Sequence, residues 1–293
     1  MDKLIRSLTQ QEQLNFLLTN RIPRRALTQC MGYFSSIESK LMTKVSIAIW
    51  RLFADDLDLS EAKKSEFDSL NDCFTRELRD GTRPIDHQQG ILISPCDAIV
   101  GSCGRIQGST VFQAKGFPYA LADLITDPEM QSRYHDGVYV TLRLKSSMYH
   151  RFHAPIDCDI DQVTYISGDT WNVNPVALKR IEKLYCKNER AILELKNTGL
   201  AGNIAMVPVA AILVASMRFH CISHELDLRY KGPNIIPCQA RYGKGEEMGY
   251  FQHGSTIIML ASSNYELAEG IAEGARVNMG KPLLIAHGAR KNH

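Results

Sequence analysis

From about residue 91 onward, the sequence is a succession of short apolar runs separated by turn residues. The runs are rich in Val, Ile and Thr, a composition that favours strands over helices. They read ILIS, AIVGSCGRI, VYVTLRL, AILELKN, IAMVPVAAILVASM and STIIML. Within this series we predict a helical insertion near 174–187 and a final helix from Tyr265 to Glu273. The pattern predicts an α+β fold class with a mainly antiparallel β body.

The first sixty residues predict helices instead. Between Phe34 and Phe53, apolar residues recur at three- and four-residue spacing and fall on one face of a helix. They are Ile37, Leu41, Val45, Ala48 and Leu52. Basic residues follow one edge of this face and Trp50 adds an aromatic ring, which suits a helix lying in a membrane interface. Packing of the same face on the protein's own core is the alternative.

These patterns divide the chain into two parts. We predict that residues 1–60 form a membrane-associating helical segment with amphipathic helices, and that residues 61–293 form a β-rich domain. At the start of the second part, residues 60–86 predict one more helix, capped near Ser60 and ended by Gly81.

Charge is distributed unevenly between the two parts. Residues 1–53 hold eight basic and three acidic residues, a balance of +5, whereas the remainder holds 26 basic and 29 acidic residues, a balance of −3. A basic amino-terminal segment is attracted to anionic lipid surfaces. We therefore expect an anionic membrane surface as a partner and no nucleic acid.

Three further observations limit the class of protein. The eight cysteines include no CxxC pair, so we expect neither a zinc site nor a disulfide framework, but reduced thiols in a cytosol-facing protein. The first residues, MDKLIRSLTQQEQ, lack the apolar core of a secretory signal peptide. The uncharged stretch 199–217 is long enough to suggest a membrane span, but Gly199, Gly202 and Pro208 interrupt it. We predict buried sheet there.

Three remote segments carry side chains suited to acid–base and nucleophilic chemistry. Asp97 precedes a predicted strand, His150 and His153 lie in MYHRFHAP, and Ser255 follows Gly254 in HGST. Each has an ordinary structural explanation, since Asp, Gly and Ser are common turn residues and this histidine pair lacks further metal ligands. A Ser–His–Asp set is a second interpretation, although the GxSxG signature of many hydrolases is absent.

Taken together, these segments resemble the bacterial, pyruvoyl-dependent phosphatidylserine decarboxylases. The resemblance extends over nearly the whole chain after residue 60 and rests on nine stretches in matching order. They are SLNDCFTRELRDGTRPID, SPCDAIVG, QAKG, YHRFHAP, SGDTWNVNP, KNERAIL, VPVAAILVASM, EEMGYFQHGSTIIML and NMGKPL.

The resemblance implies that residues 61–293 are catalytic and that the chain cuts itself between Gly254 and Ser255. In that scheme Asp97 orients His153, and His153 deprotonates Ser255. The serine oxygen then attacks the carbonyl of Gly254, and β-elimination cuts the resulting ester. Hydrolysis with loss of ammonia converts Ser255 into a pyruvoyl group, the covalent cofactor, and leaves chains of residues 1–254 and 255–293.

The resemblance also implies the reaction and its setting. Phosphatidylserine is decarboxylated to phosphatidylethanolamine, with the pyruvoyl ketone as the electron sink for the carbanion. His150 returns a proton, a task suited to a group that titrates near neutral pH. The two chains form an α/β heterodimer, and the family suggests further dimerisation. We expect a peripheral protein on the cytoplasmic side of the cell membrane.

One departure and two alternatives accompany this interpretation. His253 stands where the bacterial proteins usually have an apolar residue, and we favour a tolerated surface change over an effect on the cleavage rate. The alternatives are a lipid-directed serine hydrolase that uses Asp97, His153 and Ser255 without cutting itself, and an unprocessed module that only binds anionic lipid. Neither alternative explains nine stretches in order.

Overall fold

An eight-stranded antiparallel sheet forms the centre of the protein. The structure, a computed structural model, describes residues 23–54, 56–114, 117–197, 202–213, 216–252 and 255–288. Its strands are β1 (Ile91–Ile93), β2 (Ala98–Arg105), β3 (Thr110–Ala114), β4 (Phe117–Ala120), β5 (Val138–Arg143), β6 (Arg151–His153), β7 (Cys158–Ile166), β8 (Arg190–Asn197), β9 (Ile204–Val209), β10 (Met217–Phe219), β11 (Ile235–Tyr242), β12 (Glu247–Phe251), β13 (Thr256–Ala261), β14 (Tyr265–Leu267), β15 (Arg276–Val277) and β16 (Pro282–Ala286).

Helices are fewer and mostly short. They are α1 (Arg24–Ser35), α2 (Lys40–Phe53), α3 (Leu70–Phe74), α4 (Leu121–Leu124), α5 (Pro128–Ser132), α6 (Pro175–Leu178) and α7 (Leu184–Lys187). The predicted α+β class, a mainly antiparallel β body with helices near the amino terminus, is confirmed.

Strand β13 lies inside the large sheet, whose order is β11-β7-β8-β9-β13-β5-β2-β15. It pairs antiparallel with β9 on one side and with β5 on the other, so that Thr256 faces both Val209 and Arg143. All six residues of β13 and all six of β9 are buried. This burial explains why both runs are almost continuously apolar rather than alternating.

The described residues also form smaller sheets. Their orders are β1-β16-β14, β10-β12-β6 and β3-β4. The stretch 199–217 contributes the buried strand β9 and the start of β10, so the prediction of buried sheet is confirmed for these residues, whereas 210–213 follow β9 outside any strand. No helix among the described residues is both long and apolar enough to cross a membrane.

The helix predicted between Phe34 and Phe53 is interrupted. Helix α1 ends at Ser35, and α2 begins after Ser39, whose side chain accepts a hydrogen bond from the backbone N–H of Met42. Serine at this position caps a helix start because its oxygen satisfies an otherwise unpaired N–H group. The paired serines at 35 and 36 and Ser39 therefore divide one amphipathic pattern into two helices.

Two other helix predictions are wrong. In 60–86 only α3 is helical, because Lys63 N–H donates to the Glu77 carbonyl and Arg79 N–H to the Glu61 carbonyl, so this segment pairs with itself in extended form. Residues 265–273 begin with β14, in which Tyr265 pairs with Ala286 of β16. Tertiary strand pairing thus overrides local helix propensity.

The predicted helical insertion near 174–187 is present only as two single turns, α6 and α7. The buried side chain of Gln113 joins them: its amide donates to the carbonyls of Leu178 and Ile181, and its oxygen accepts from Leu184 N–H. Lys183, between the turns, adopts a left-handed backbone with φ of 52°. One continuous helix would leave these bonds unmade.

Candidate active site

Ser255 lies immediately before the central strand β13 and is fully buried. Its carbonyl accepts a hydrogen bond of 2.9 Å from Leu144 N–H, which continues the pairing with β5. Its hydroxyl oxygen is buried and has no hydrogen-bond partner within the described part of the chain. The neighbouring His253 and Gly254 lie outside the described residues, as do Lys115 and Gly116 of the QAKG stretch.

His150 lies just before β6 and is also fully buried. Its Nδ1 is 2.8 Å from the Met148 carbonyl and therefore donates to it, so Nε2 is the acceptor nitrogen whenever the ring is neutral. The carbonyl of His150 accepts a bond from Phe251 N–H, at the end of the strand that leads to Ser255. This backbone pairing brings His150 towards the serine.

Aromatic rings connect His150 to the amino-terminal helices. The His150 ring lies 4.1 Å from that of Phe74, measured between centroids, and Phe74 stacks on Trp50 of α2 at 5.5 Å. Helix α2 is thereby packed directly against a wall of the candidate site.

His153, at the end of β6, has a different set of contacts. Its Nδ1 is 2.9 Å from the Gly245 carbonyl, and its Nε2 is 2.9 Å from the hydroxyl of Tyr149. Since Nδ1 must donate to the carbonyl, Nε2 is the basic nitrogen. Burial lowers the pKa of His153 from its ordinary value of 6.5, against smaller opposing effects that include the charges of Glu247 and Asp97. The ring is thus neutral at neutral pH.

Asp97 is held by other groups than His153. Its carboxylate accepts two hydrogen bonds from Arg83, of 2.9 Å from Nε and 2.6 Å from Nη2, and one of 2.9 Å from Met279 N–H. Across the described residues, no hydrogen bond joins the Asp97 carboxylate to the His153 ring. The two residues are neighbours through the backbone, because His153 N–H donates to the Pro95 carbonyl at 2.8 Å.

The candidate residues are held in place by Arg83, Met279, Gly245 and Tyr149, to which the sequence pattern assigns no role. All four fall inside or beside stretches that carried the resemblance: TRPID, NMGKPL, EEMGY and YHRFH. The stretches that carry the resemblance therefore include or adjoin these four residues, but they do not indicate which candidate residue each of the four contacts.

Two clefts flank these residues. One of about 630 Å³ is lined by Arg83, Asp97 and Tyr149 among others. The other, of about 360 Å³, is lined by Phe74 and Leu144 among others, that is, by side chains adjacent to His150 and Ser255. The structure thus brings His153 together with the Asp97 segment and His150 together with the Ser255 strand, while the Ser255 hydroxyl is hydrogen-bonded to neither histidine.

The setting of Ser255 fits a group made from the serine itself. A buried hydroxyl without a partner is costly, because its hydration is lost and nothing replaces it. Conversion to a ketone would remove the unpaired hydroxyl donor. No group of three or more His, Cys, Asp or Glu side chains in the described ranges is arranged to hold a metal ion.

Comparison with known proteins identifies the family. The model of the family described as phosphatidylserine decarboxylase matches residues 70–285, which include Asp97, both histidines and Ser255. The chain belongs to this family. The predicted family and the predicted enzyme class, a carboxy-lyase, are therefore confirmed.

Similar proteins extend the match beyond that range. The phosphatidylserine decarboxylase proenzyme of Brevibacillus brevis is 31% identical over 271 residues, which cover 91% of this chain and 95% of the relative. Proenzymes of the same name from Shewanella sp. (strain ANA-3) and Shewanella sediminis are 32% and 31% identical, over 92% and 93% of this chain and 96% and 98% of the relatives. The name proenzyme describes relatives made as precursors.

Proposed function

We propose that this member of the phosphatidylserine decarboxylase family is a precursor that cuts itself between Gly254 and Ser255 and then decarboxylates phosphatidylserine to phosphatidylethanolamine. The buried Ser255 hydroxyl carries this proposal, because at the entrance of the central strand it has no hydrogen-bond partner among the residues that the structure describes. A serine that served only as a turn residue would have its hydroxyl in water or bonded to the backbone.

In the proposed cleavage, Ser255 Oγ attacks the carbonyl carbon of Gly254 and the peptide becomes an ester. His153 is the base: its Nε2 is unprotonated, and its low pKa keeps it so at neutral pH. Elimination then breaks the ester, and hydrolysis with loss of ammonia leaves a pyruvoyl group at position 255. Tyr149, whose hydroxyl touches His153 Nε2, must rotate away or pass the proton on.

Asp97 is proposed as the anionic partner of His153, acting through its field and through the shared backbone. Its charge raises the pKa of His153 against the larger effect of burial, and its own position is fixed by Arg83 and Met279. A negative charge near the ring stabilises the imidazolium that forms when the serine is deprotonated.

In the proposed decarboxylation, His150 takes up a proton from water at Nε2 and passes it to the carbanion that remains when the carboxylate leaves as carbon dioxide. Its Nδ1 is fixed by the Met148 carbonyl and its ring by Phe74, so Nε2 has a defined orientation. A pyruvoyl group at position 255 supplies the electron-accepting carbonyl that this reaction needs.

We further propose that the protein docks peripherally on the cytoplasmic face of the cell membrane through its amino-terminal helices. Helix α2 exposes a row of apolar side chains rather than packing it on the core: Leu41 is 75% exposed, Val45 50% and Leu52 63%. Apolar side chains flanked by lysines suit an anionic lipid interface. The two chains would remain an α/β heterodimer, and such units would dimerise further.

The proposal is tested by incubating the purified protein with phosphatidylserine vesicles and measuring carbon dioxide and phosphatidylethanolamine. We expect both from the wild type and neither from Ser255→Ala. Ser263→Ala, which changes an exposed serine shortly after the same strand, is the matched control and should be fully active. Release of fatty acid or free serine instead would favour a hydrolase, and vesicle binding without any reaction would favour the lipid-binding module.

A further inference from the structure

The cleft of about 360 Å³, whose wall includes Leu144, the backbone partner of Ser255, has a cationic lining. Arg143 and Lys145 both lie in its wall, together with Phe74, Asn172 and Leu213, and none of its lining residues is acidic. A concave site with positive charge and no lining carboxylate attracts anions.

The two cations differ in their partners. Lys145 forms an ion pair with Asp56, which compensates its charge. Arg143 makes no ion pair with any described residue, and its Nε is buried without a hydrogen-bond partner there. Removing a guanidinium partly from water without an anionic partner costs free energy. An anionic ligand that forms charge-assisted hydrogen bonds with it therefore binds favourably.

Arg143 is also placed close to the reacting position. It is the cross-strand partner of Thr256, and the next residue, Leu144, donates its N–H to the carbonyl of Ser255. The stem of Arg143 passes Gly101 so closely that a Cβ at that glycine would lie 3.3 Å from Arg143 Cδ. The backbone therefore fixes where the Arg143 side chain starts, one strand position from Leu144, the residue that pairs with Ser255.

The far wall of the cleft connects it to the amino-terminal helices. Leu213 N–H donates a 3.0 Å hydrogen bond to Thr28 Oγ1 of α1, the helix that exposes Tyr33 and Phe34. A lipid whose tails stay with these helices would enter with its headgroup pointing towards Ser255. Its phosphodiester, only a few covalent bonds from the headgroup amine, would then lie near Arg143.

We propose that Arg143 binds the phosphodiester of the lipid headgroup and so holds the substrate with its amine at position 255; this inference rests on the proposed function. Guanidinium groups pair with two phosphate oxygens at once. The substrate carboxylate is the less suitable ligand, because an arginine bound to it would stabilise the charge that must be lost and so slow the reaction. The phosphodiester keeps its charge throughout, so Arg143 contributes equally to substrate and transition-state binding.

Steady-state kinetics of Arg143→Gln on phosphatidylserine in mixed micelles test this role. Uniform binding affects KM and leaves kcat unchanged, and loss of a charge-assisted pair should raise KM by about 10- to 100-fold. We expect Arg143→Lys to recover part of the loss. The matched control is Arg241→Gln. Arg241 is an exposed arginine of the edge strand β11 that pairs with Asp159 of β7, and the variant should behave as wild type.

Self-cleavage, measured on the same samples, separates the two proposals. If wild type is not cut, the proposed function fails; if Arg143→Gln is cut and its KM is unchanged, only the role of Arg143 fails. Should Arg143→Gln not fold, an unchanged KM for Arg143→Lys overturns the role instead. Inorganic phosphate is the second probe: saturable inhibition of the wild type that disappears in Arg143→Gln, with no change in KM for the lipid, would assign the site to free phosphate and overturn the lipid assignment.

Discussion

The lowered pKa of His153 predicts how the rate of self-cleavage depends on pH. Its folded-state pKa lies below 6.5 because burial disfavours the charged ring. If neutral His153 is the base of self-cleavage, the cleavage rate should be level above neutral pH and fall only below pH 6.5. The measurement is the rate at which the short fragment appears after freshly synthesised precursor is transferred to buffers of different pH.

The same property affects stability with a defined sign. The unfolded chain binds a proton at His153 at a higher pH than the folded chain does, so this residue's contribution to the unfolding free energy is complete above pH 6.5 and is lost as pH falls towards the folded pKa.

An inflection of the cleavage rate above pH 6.5 would exclude His153 as the base. His287→Gln, which removes an exposed histidine, should leave the profile unchanged.

Glu189 offers a second prediction at this scale. It is 2% exposed, Tyr165 donates a 2.9 Å hydrogen bond to it, and burial raises its pKa from 4.5 to about 7. Its stability contribution is therefore complete below pH 4.5 and is lost as pH rises through 7. Glu189→Gln keeps an acceptor for Tyr165 but removes the titration. Between pH 5 and 8 the variant should gain about 2–3 kcal/mol relative to wild type.

Urea unfolding at both pH values measures this change. Glu266→Gln, at an exposed position of β14, is the control and should show no comparable shift with pH. A constant difference between wild type and Glu189→Gln at pH 5 and pH 8 would show that Glu189 does not titrate in this range.

The sequence predicted the candidate residues themselves but not what holds them. Asp97, His150, His153 and Ser255 were identified through resemblance over short stretches. Their contacts come from remote segments, as when Gly245 accepts from a histidine 92 residues earlier in the chain. Hydrogen-bond partners at such separations are set by the packing of strands, which local patterns do not specify.

At the scale of elements, α2 provides a prediction about membrane binding. Leu41, Val45 and Leu52 are at least half exposed, so replacing all three with Gln should change the unfolding free energy little. Vesicle binding should fall by at least about tenfold, because each inserted apolar side chain contributes roughly 1 kcal/mol or more. Sedimentation with phosphatidylserine vesicles measures the binding, and thermal unfolding measures the stability.

The control for α2 is Ile235→Gln on the edge strand β11, which is 55% exposed and lies in another element. It should bind vesicles as wild type does. If the α2 variant binds vesicles as tightly as wild type, α2 is not part of the docking surface. A large loss of thermal stability would show that this face packs on the protein instead.

Elements whose signal is local were predicted well, and elements that depend on pairing were not. The apolar runs of β9 and β13 are buried strands because no other placement removes them from water. Residues 60–86 and 265–273 carry residues that favour helices, yet the first segment pairs with itself in extended form and the second pairs with β16. Helix propensity is a fraction of a kcal/mol per residue, and a few such bonds exceed it.

On the scale of the whole molecule, the proposed cut would divide one sheet between two chains. The segment that follows the cut contributes β13 at the centre of the large sheet, β15 at its edge, and β14 and β16 of a smaller sheet. Every residue of β13 pairs with both β5 and β9. The two chains should therefore stay together after cleavage. The division at residue 60 and further dimerisation stay predictions.

Intact-mass analysis of the wild type beside Ser255→Ala, after native gel filtration, tests self-cleavage most directly. We expect one native peak in both cases. Under denaturing conditions, the wild type should separate into a fragment ending at residue 254 and a fragment of residues 255–293 whose first residue carries a ketone in place of an amine. Ser255→Ala should remain whole. A wild type that stays whole, or that is cut with an ordinary amino terminus at 255, would exclude self-cleavage to a pyruvoyl group.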